Sequence, residues 1–316
     1  MEQGHVRIGV SGWRYAPWRG EFYPKSLRQA EELSYLASQL STVEINGTFY
    51  SLQSPASFAA WHAATPEGFV FAVKGSRYLT HILRLKEFER PLANFLASGL
   101  FNLGEKLGPL LWQFPPNLRF EPDRFETFMA ALPHDTTAAL ALARRRDARM
   151  TGRARLAIDA PRRLHHAFEI RNESFLDAHF IALLRRYGVA LVVADTGGKW
   201  PSPTDVTADF LYLRLHGATE LYRSRYSEAS LRKWARRIHA WRSGTRPDDD
   251  TPVVDAEPPH QPRDVYCYFD NTDKLHAPAN ARRLQQLVDE LGNAQPAARS
   301  RRTPSRLPAR AAVTSV

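Results

Sequence analysis

The sequence predicts a single (β/α)8 barrel, an α/β fold of the TIM type. Three observations carry that expectation. Eight short runs rich in β-branched and aromatic residues follow one another along the chain. Most neighbours in the series are separated by a segment of helical period, which is the spacing of βαβ units and a parallel sheet. No Gly-x-Gly-x-x-Gly follows the first run, so a dinucleotide-binding fold would lack its phosphate loop.

The strand signals are Arg7–Val10, Thr42–Asn46, Phe69–Lys74, Pro109–Phe114, His166–Arg171, Val189–Asp195, Phe210–His216 and Asp264–Asp270. Between the first two, Leu33, Leu36, Ala37 and Leu40 repeat at helical spacing within Leu27–Leu40. Ser54-Pro55 then offers an N-cap and a proline at the first helical position, ahead of Phe58 and Trp61. Further helices read at Leu92–Leu103, Phe125–Leu132, Phe175–Tyr187, Ser227–Trp241 and Pro278–Leu291. The proline-rich stretch 244–262, with Asp248-Asp249-Asp250, reads as a long surface loop before the last strand. Arg144–Arg155 reads as a solvated helix end or loop. Residues 1–293 are expected to form the barrel, and 294–316, rich in Pro, Arg, Ser and Ala, a disordered tail.

At 316 residues, 43% of them hydrophobic, the chain can bury a core that needs no covalent staple, and the lone Cys267 has no partner for a disulfide. The first residues lack the basic and apolar regions of a signal peptide, and no run reaches the roughly 18 apolar residues of a membrane span. A cytoplasmic protein with no membrane partner is the expectation. The formal charge of +10 invites a nucleic-acid reading, but five arginines within 294–316 supply half of it. Charge alone supports some affinity for polyanions.

Strand side chains alternate between faces, so parity separates the lumen of a barrel from its helix layer. Leu211, Leu213 and Leu215 share one face, leaving Tyr212, Arg214 and His216 for the lumen. Val43 and Ile45 face outward, with Glu44, Asn46 and Thr48 inward. Phe69, Phe71 and Val73 oppose Val70, Ala72 and Lys74, while Phe168 and Ile170 oppose Glu169 and Arg171. The fourth strand ends near Gln113 and the sixth at Asp195. These polar groups come late in their strands, beside the face where barrels of this class carry active sites. Buried polar groups cost several kcal/mol unless paired, so their number is the functional signal. The competing reading is structural: Glu44, Glu169 and Asp195 could plug the mouth by pairing with Lys74, Arg171 and Arg214.

At these residues the chain resembles the YecE-like family, domain-of-unknown-function family 72. The likeness runs in order over roughly residues 7 to 290. It is carried by Gly9-Val10-Ser11-Gly12-Trp13-Arg14-Tyr15, Trp18-Arg19-Gly20-Glu21-Phe22-Tyr23-Pro24, Thr42-Val43-Glu44-Ile45-Asn46-Gly47-Thr48-Phe49-Tyr50 and Phe71-Ala72-Val73-Lys74-Gly75-Ser76. Thr80-His81, the run Leu107 to Pro116, Phe168-Glu169-Ile170-Arg171, Tyr212-Leu213-Arg214-Leu215-His216-Gly217 and Tyr268-Phe269-Asp270-Asn271-Thr272 continue it. The resemblance implies a TIM-type barrel and no settled activity. Two positions depart from the family pattern: Asp270 stands where an asparagine is usual, and Asn172 where histidine is often found.

Three function classes suit these residues. Glu44, Glu169, Asp195 and His216, with Asp270 as a fifth, form a ligand set suited to Mn²⁺, Mg²⁺ or Zn²⁺. Metal-assisted hydrolysis would follow, with Lys74, Arg171 or Arg214 holding an anionic substrate; the family resemblance, by analogy of barrel class alone, implies a phosphodiester or a phosphorylated sugar. The same groups could work without metal. Glu44 or Glu169 would then be acid or base with His216 as partner, or the two carboxylates would cleave a glycoside together. The third class is a binder of nucleic acid or another polyanion, using the tail and the rings of Trp13, Tyr15, Trp18, Phe49, Tyr50 and Tyr78. Asn46, His81, Gln113 and Asn271 complete the candidate substrate contacts.

Overall fold

The computed structural model describes residues 3–217, 225–256, 258–271 and 275–293. The tail 294–316 expected to be disordered lies outside the described residues. The strands are β1 (Val6–Ser11), β2 (Thr42–Ile45), β3 (Val70–Lys74), β4 (Leu107–Gln113), β5 (His166–Glu169), β6 (Ala190–Asp195), β7 (Phe210–Leu215) and β8 (Asp264–Phe269). All pairs are parallel, and β1 pairs with both β2 and β8, so the sheet closes into an eight-stranded barrel. All eight strands fall on the runs expected from the sequence.

The helices are α1 (Glu32–Ala37), α2 (Gly47–Tyr50), α3 (Pro55–Ala63), α4 (Glu89–Ala97), α5 (Pro122–Ala131), α6 (Thr136–Ala143), α7 (Ala178–Arg186), α8 (Glu228–Arg242) and α9 (Ala277–Asn293). Their starts follow local chemistry. The Ser54 and Ser227 hydroxyls accept from the Ser57 and Ser230 amides, and the Asp177 carboxylate from those of His179 and Phe180. The helix expected over Leu92–Leu103 is instead α4 followed by a 3-10 stretch. Gly99 breaks it at φ 131°, where an added Cβ would meet Pro55 and Phe58 at 2.7 Å. Helix α6 carries no helical signature in the sequence, since its apolar residues lie all round and give no stripe to read. No described helix is long and apolar enough to cross a membrane.

The barrel separates two apolar regions. Outward residues such as Val43, Phe71, Trp112, Phe168, Leu213 and Phe269 join the helix-facing core. Inward residues form a second cluster of Val70, Ala72, Leu111, Ala167, Ala190, Val192, Ala194, Phe210, Tyr212, Tyr266 and Tyr268. The four alanines make room for the large inward chains. Register sets Ala194 beside Arg214 and Ala72 beside Glu44, so the longest polar side chains stretch across the lumen over small neighbours. Gly9 serves the same end on β1, since a Cβ there would sit 2.1 Å from the Thr42 carbonyl oxygen.

Candidate functional site at the barrel mouth

The strand ends close the lumen with a polar layer centred on Arg214, whose side chain is fully buried. Its Nε and Nη2 donate to the two Glu44 oxygens at 3.1 and 2.8 Å. Nη1 donates to Glu169 Oε2 at 2.6 Å, and Nη2 also reaches Asp270 Oδ2 at 2.8 Å. One guanidinium therefore satisfies three carboxylates, a use of its planar fork that a lysine could not copy. Glu44 takes two further donors, Ser11 Oγ at 2.9 Å and the Tyr212 hydroxyl at 2.6 Å. Arg171 donates to Glu169 Oε1 through Nε at 2.9 Å and reaches the same oxygen with Nη2 at 2.8 Å. Burial alone would raise the Glu169 carboxyl, but Arg214 and then Arg171 outweigh it and hold the group below the usual carboxylate range. His216, also buried, stands between two of these acids, with Nδ1 3.3 Å from Asp270 Oδ2 and Nε2 3.7 Å from Glu169 Oε1.

A second chain of polar groups runs along the β3–β4 side. Lys74 Nζ donates to Gln113 Oε1 at 2.8 Å, and Gln113 Nε2 lies 3.4 Å from His81 Nε2. His81 Nδ1 is 2.8 Å from Thr80 Oγ1. With the amide oxygen committed to Lys74, its NH2 faces His81, which then accepts at Nε2 and donates from Nδ1 to Thr80. Burial and the nearby Lys74 charge push His81 down to about 4, so it is neutral near pH 7 and fits that role. Lys74 lies 4.3 Å from the Phe49 ring centroid. Burial, and next the Arg214 charge, push its ammonium down to about 8 against the pull of Glu169, Glu44 and Asp270. Asn46, which follows β2 at the N-cap position of α2, has a buried Oδ1 without a hydrogen-bond partner among the described residues.

Glu44, Lys74, Gln113, Glu169, Arg171, Arg214, His216 and Asp270 thus meet in one layer, with His81 joined through Gln113. Asp195 does not. It shares the outward parity of Val193 and accepts from the Tyr226 hydroxyl at 3.1 Å and Trp234 Nε1 at 3.3 Å. Counting parity to the end of β6 would have given this, because Ala194 is the inward residue opposite Arg214. Trp13 also lies apart from the layer, packed edge-on against Trp61 of α3 at 5.4 Å. Gly12, at φ 75°, turns the chain before it. Tyr15 stays near the rim, its hydroxyl 2.6 Å from the Ser11 carbonyl and its ring 4.9 Å from that of Trp18, which is core. Asn271 is buried just beyond β8. Tyr50 and Tyr78 are 70% and 51% exposed and line a groove of about 1080 Å³ beside the mouth, which holds none of the layer's charges.

The donor set does not fit the divalent metal that the sequence suggested. Such an ion needs oxygen or imidazole ligands within about 2.0–2.6 Å, whereas Glu44, Glu169 and Asp270 converge on a guanidinium. Asp195, a fourth member of that set, faces the helices. Among the described residues no group of three or more His, Cys, Asp or Glu is arranged to hold a metal ion. A glycosidase pair fares no better. One carboxyl must start protonated, but Glu169 is held ionised and both Glu44 oxygens are engaged.

Sequence reasoning missed Trp200. Its ring lies under the Arg171 guanidinium at 3.9 Å and 6.5 Å from the His216 ring. It comes from the loop after β6, where no periodicity marks it. The only available hint was an aromatic shortly beyond a strand end.

Comparison with solved structures finds the same fold. A DUF72 family protein from Thermotoga maritima superposes with a TM-score of 0.66 at 23% identity, covering 90% of this chain and 99% of the other. A DUF72 family protein from Enterococcus faecalis gives 0.62 at 19% identity, covering 90% and 95%. Among curated proteins, UPF0759 protein YunF of Bacillus subtilis is 28% identical over 122 residues, which are 35% of this chain and 40% of that relative. The family model described as "Protein of unknown function DUF72" matches residues 7–305. With that span matched and the barrel in place, the chain belongs to the DUF72 family.

Proposed function

We propose that the protein is an enzyme that performs metal-free acid–base chemistry on a small anionic substrate at the barrel mouth, with Lys74 as the group that exchanges the proton. The observation that carries this reading is the buried Lys74 amine, whose ionisation is pushed down to about 8. A base is most useful when its pKa lies near the working pH, and burial is the usual way of bringing a lysine there. At pH 7 about one amine in ten is then neutral. The neutral Nζ would take a proton from a substrate C–H or O–H. The resulting ammonium is received by Gln113 Oε1 at 2.8 Å and by the field of Glu169 and Glu44, and the proton returns to the substrate at its new position. Arg171 faces the anionic part of the substrate, and Asn46 Oδ1 offers an acceptor to a substrate hydroxyl.

The carboxylates have a different task in this account. Arg214 and its three acids fix the shape of the mouth and set the field around Lys74. They are not the groups that exchange protons. Binding of a polyanion without catalysis is the second reading. It is less favoured because a binder gains nothing from a cation held partly neutral inside a barrel.

Proton exchange can be followed without knowing the product. Small phosphate- and carboxylate-bearing aldehydes, ketones and hydroxy acids are incubated with the protein in D2O and EDTA, and their C–H signals followed by proton NMR. The reading expects exchange with wild type and none with Lys74→Gln. Exchange that survives Lys74→Gln, or that requires added Mn²⁺, Mg²⁺ or Zn²⁺, would overturn it.

A further inference from the structure

Beside the mouth, loops that follow three consecutive strands enclose a second cavity of about 570 Å³. The loop after β4 contributes Arg119, the loop after β5 Arg171 and Glu173, and the loop after β6 Lys199 and Trp200. Three cations and one carboxylate thus line one concave space. Two of the cations share the indole as a common platform: Arg171 lies 3.9 Å and Lys199 Nζ 5.1 Å from the Trp200 ring.

The cations differ in how they are held. Arg171 is pinned from behind by Glu169, which both its Nε and Nη2 approach within 2.9 Å. Its guanidinium is therefore in position before any ligand arrives, which lowers the ordering cost of binding. Arg119 is exposed and has no hydrogen bond or ion pair among the described residues, so no carboxylate competes for its donors. Lys199 is exposed on the opposite loop, with its charge over the indole. A solvated surface normally intersperses both signs of charge. Here one carboxylate lines the space with three cations; Glu169 already balances Arg171 from behind, while Arg119 and Lys199 have no ion pair among the described residues and are both available to the oxygens of an anion.

We propose that this cavity is a phosphate-monoester subsite that holds the charged end of the substrate while the rest of the molecule reaches the mouth past Arg171. A phosphate monoester carries between one and a half and two negative charges near pH 7, roughly, whereas a phosphodiester carries one. Planar guanidinium donors suit its oxygens, and a lysine adds a point charge. Arg171 belongs to both spaces, because it binds Glu169 in the mouth layer and roofs Trp200 in the cavity. Trp200 in turn packs edge-on against the His216 ring at 6.5 Å, so the cavity wall borders the mouth layer. The assignment rests on the reading of the mouth as an active site only for what the rest of the ligand is. The cavity, its charges and its platform stand independently of it.

Isothermal titration calorimetry at about 50 mM salt, where charge-driven binding is not screened out, decides the matter with three probes. These are inorganic phosphate, phenyl phosphate as a monoester and dimethyl phosphate as a diester, each titrated into the full chain. The expected result is saturable one-to-one binding of phosphate and phenyl phosphate, with dimethyl phosphate weaker by roughly ten-fold or more. The double variant Arg119→Ala/Lys199→Ala changes two exposed side chains, and an unchanged melting temperature verifies its fold. It should weaken both monoanion-dianion probes by roughly ten-fold or more. Lys74→Gln should bind phosphate as wild type does, so loss of proton exchange with retained phosphate binding separates a failure of this subsite from a failure of the mouth chemistry. Absence of saturable phosphate binding, binding unaffected by the double variant, or a diester bound as tightly as the monoester would overturn the assignment. So would a short single-stranded oligonucleotide that outcompetes phenyl phosphate, because that would make the cavity part of a polyanion surface.

Discussion

Replacing Arg214 with methionine removes the one charge on which three carboxylates converge, the buried Glu44 and Glu169 and the partly buried Asp270. Arg214 holds Glu44 at 2.8 Å, Glu169 at 2.6 Å and Asp270 at 2.8 Å with no solvent on its own side chain. Breaking a buried pair by deleting one partner typically destabilises by about 3–5 kcal/mol, because the survivor is left desolvated. A domain with roughly 5–15 kcal/mol in total would lose a large part of its stability. Lys74 and Arg171 remain to share the load, so the lower half of that range, about 3–4 kcal/mol at pH 7, is expected. The pH dependence distinguishes this cause from a simple loss of packing. In the variant the orphaned carboxyls have folded pKa values raised above their unfolded ones. Their protonated form is then tolerated at low pH, and the destabilisation grows as pH rises through the folded values. Wild-type Glu169 has the opposite shift, downward, so its contribution is lost only as pH falls towards and below the ordinary carboxylate range. Urea denaturation at pH 7 and pH 5.5 should therefore show a wild-type-minus-variant gap that shrinks on acidification. A gap under about 1 kcal/mol at pH 7, or one that widens at pH 5.5, would refute the view that Arg214 neutralises the mouth.

Other outcomes follow from the same geometry. Lys74 is shifted down to about 8 from its ordinary value, so the unfolded chain binds more protons between these values and stability should rise with pH in that window. Between pH 7.5 and 9.5 the gain is about 2 kcal/mol, visible as a slope in denaturation experiments that Lys74→Met lacks. Gln113→Leu removes the oxygen that receives the Lys74 ammonium. It should lower the Lys74 midpoint further, by about half a unit to one unit, seen as an acid-side shift of any proton-exchange profile. Asp195→Ala should cost about 1–3 kcal/mol, through the Tyr226 hydroxyl and Trp234 indole left without their acceptor. It should leave the pH profile of exchange unchanged, since the carboxylate faces the helices.

Most of the barrel was legible because two periodicities, one of 2 and one of 3.6, alternate along the chain, and a closed parallel barrel is what such a pattern builds. Parity places Glu44, Lys74, Glu169 and Arg214 on one inner face. It failed where strands end. Asp195 needed one more residue of counting, and Trp13 lies beyond Gly12, where the alternation stops. Arg119, Lys199 and Trp200 come from loops, whose approach in space is set by the closure of the barrel and by no local pattern. Charge balance at the mouth could be counted from sequence, but not which acid meets which cation. That depended on the small Ala72 and Ala194 beside Glu44 and Arg214, which let one guanidinium reach three carboxylates across the lumen.

The most direct measurement is the ionisation of the Lys74 amine itself. NMR titration of protein labelled at the lysine side chains, with Lys74→Gln to assign the signal, reports its midpoint without reference to any substrate. The expected midpoint lies near 8, and it rises in the Arg214→Met variant, where the guanidinium no longer opposes the ammonium. A midpoint at the ordinary lysine value of about 10.4 would contradict it, leaving Lys74 a permanently charged member of an ion network.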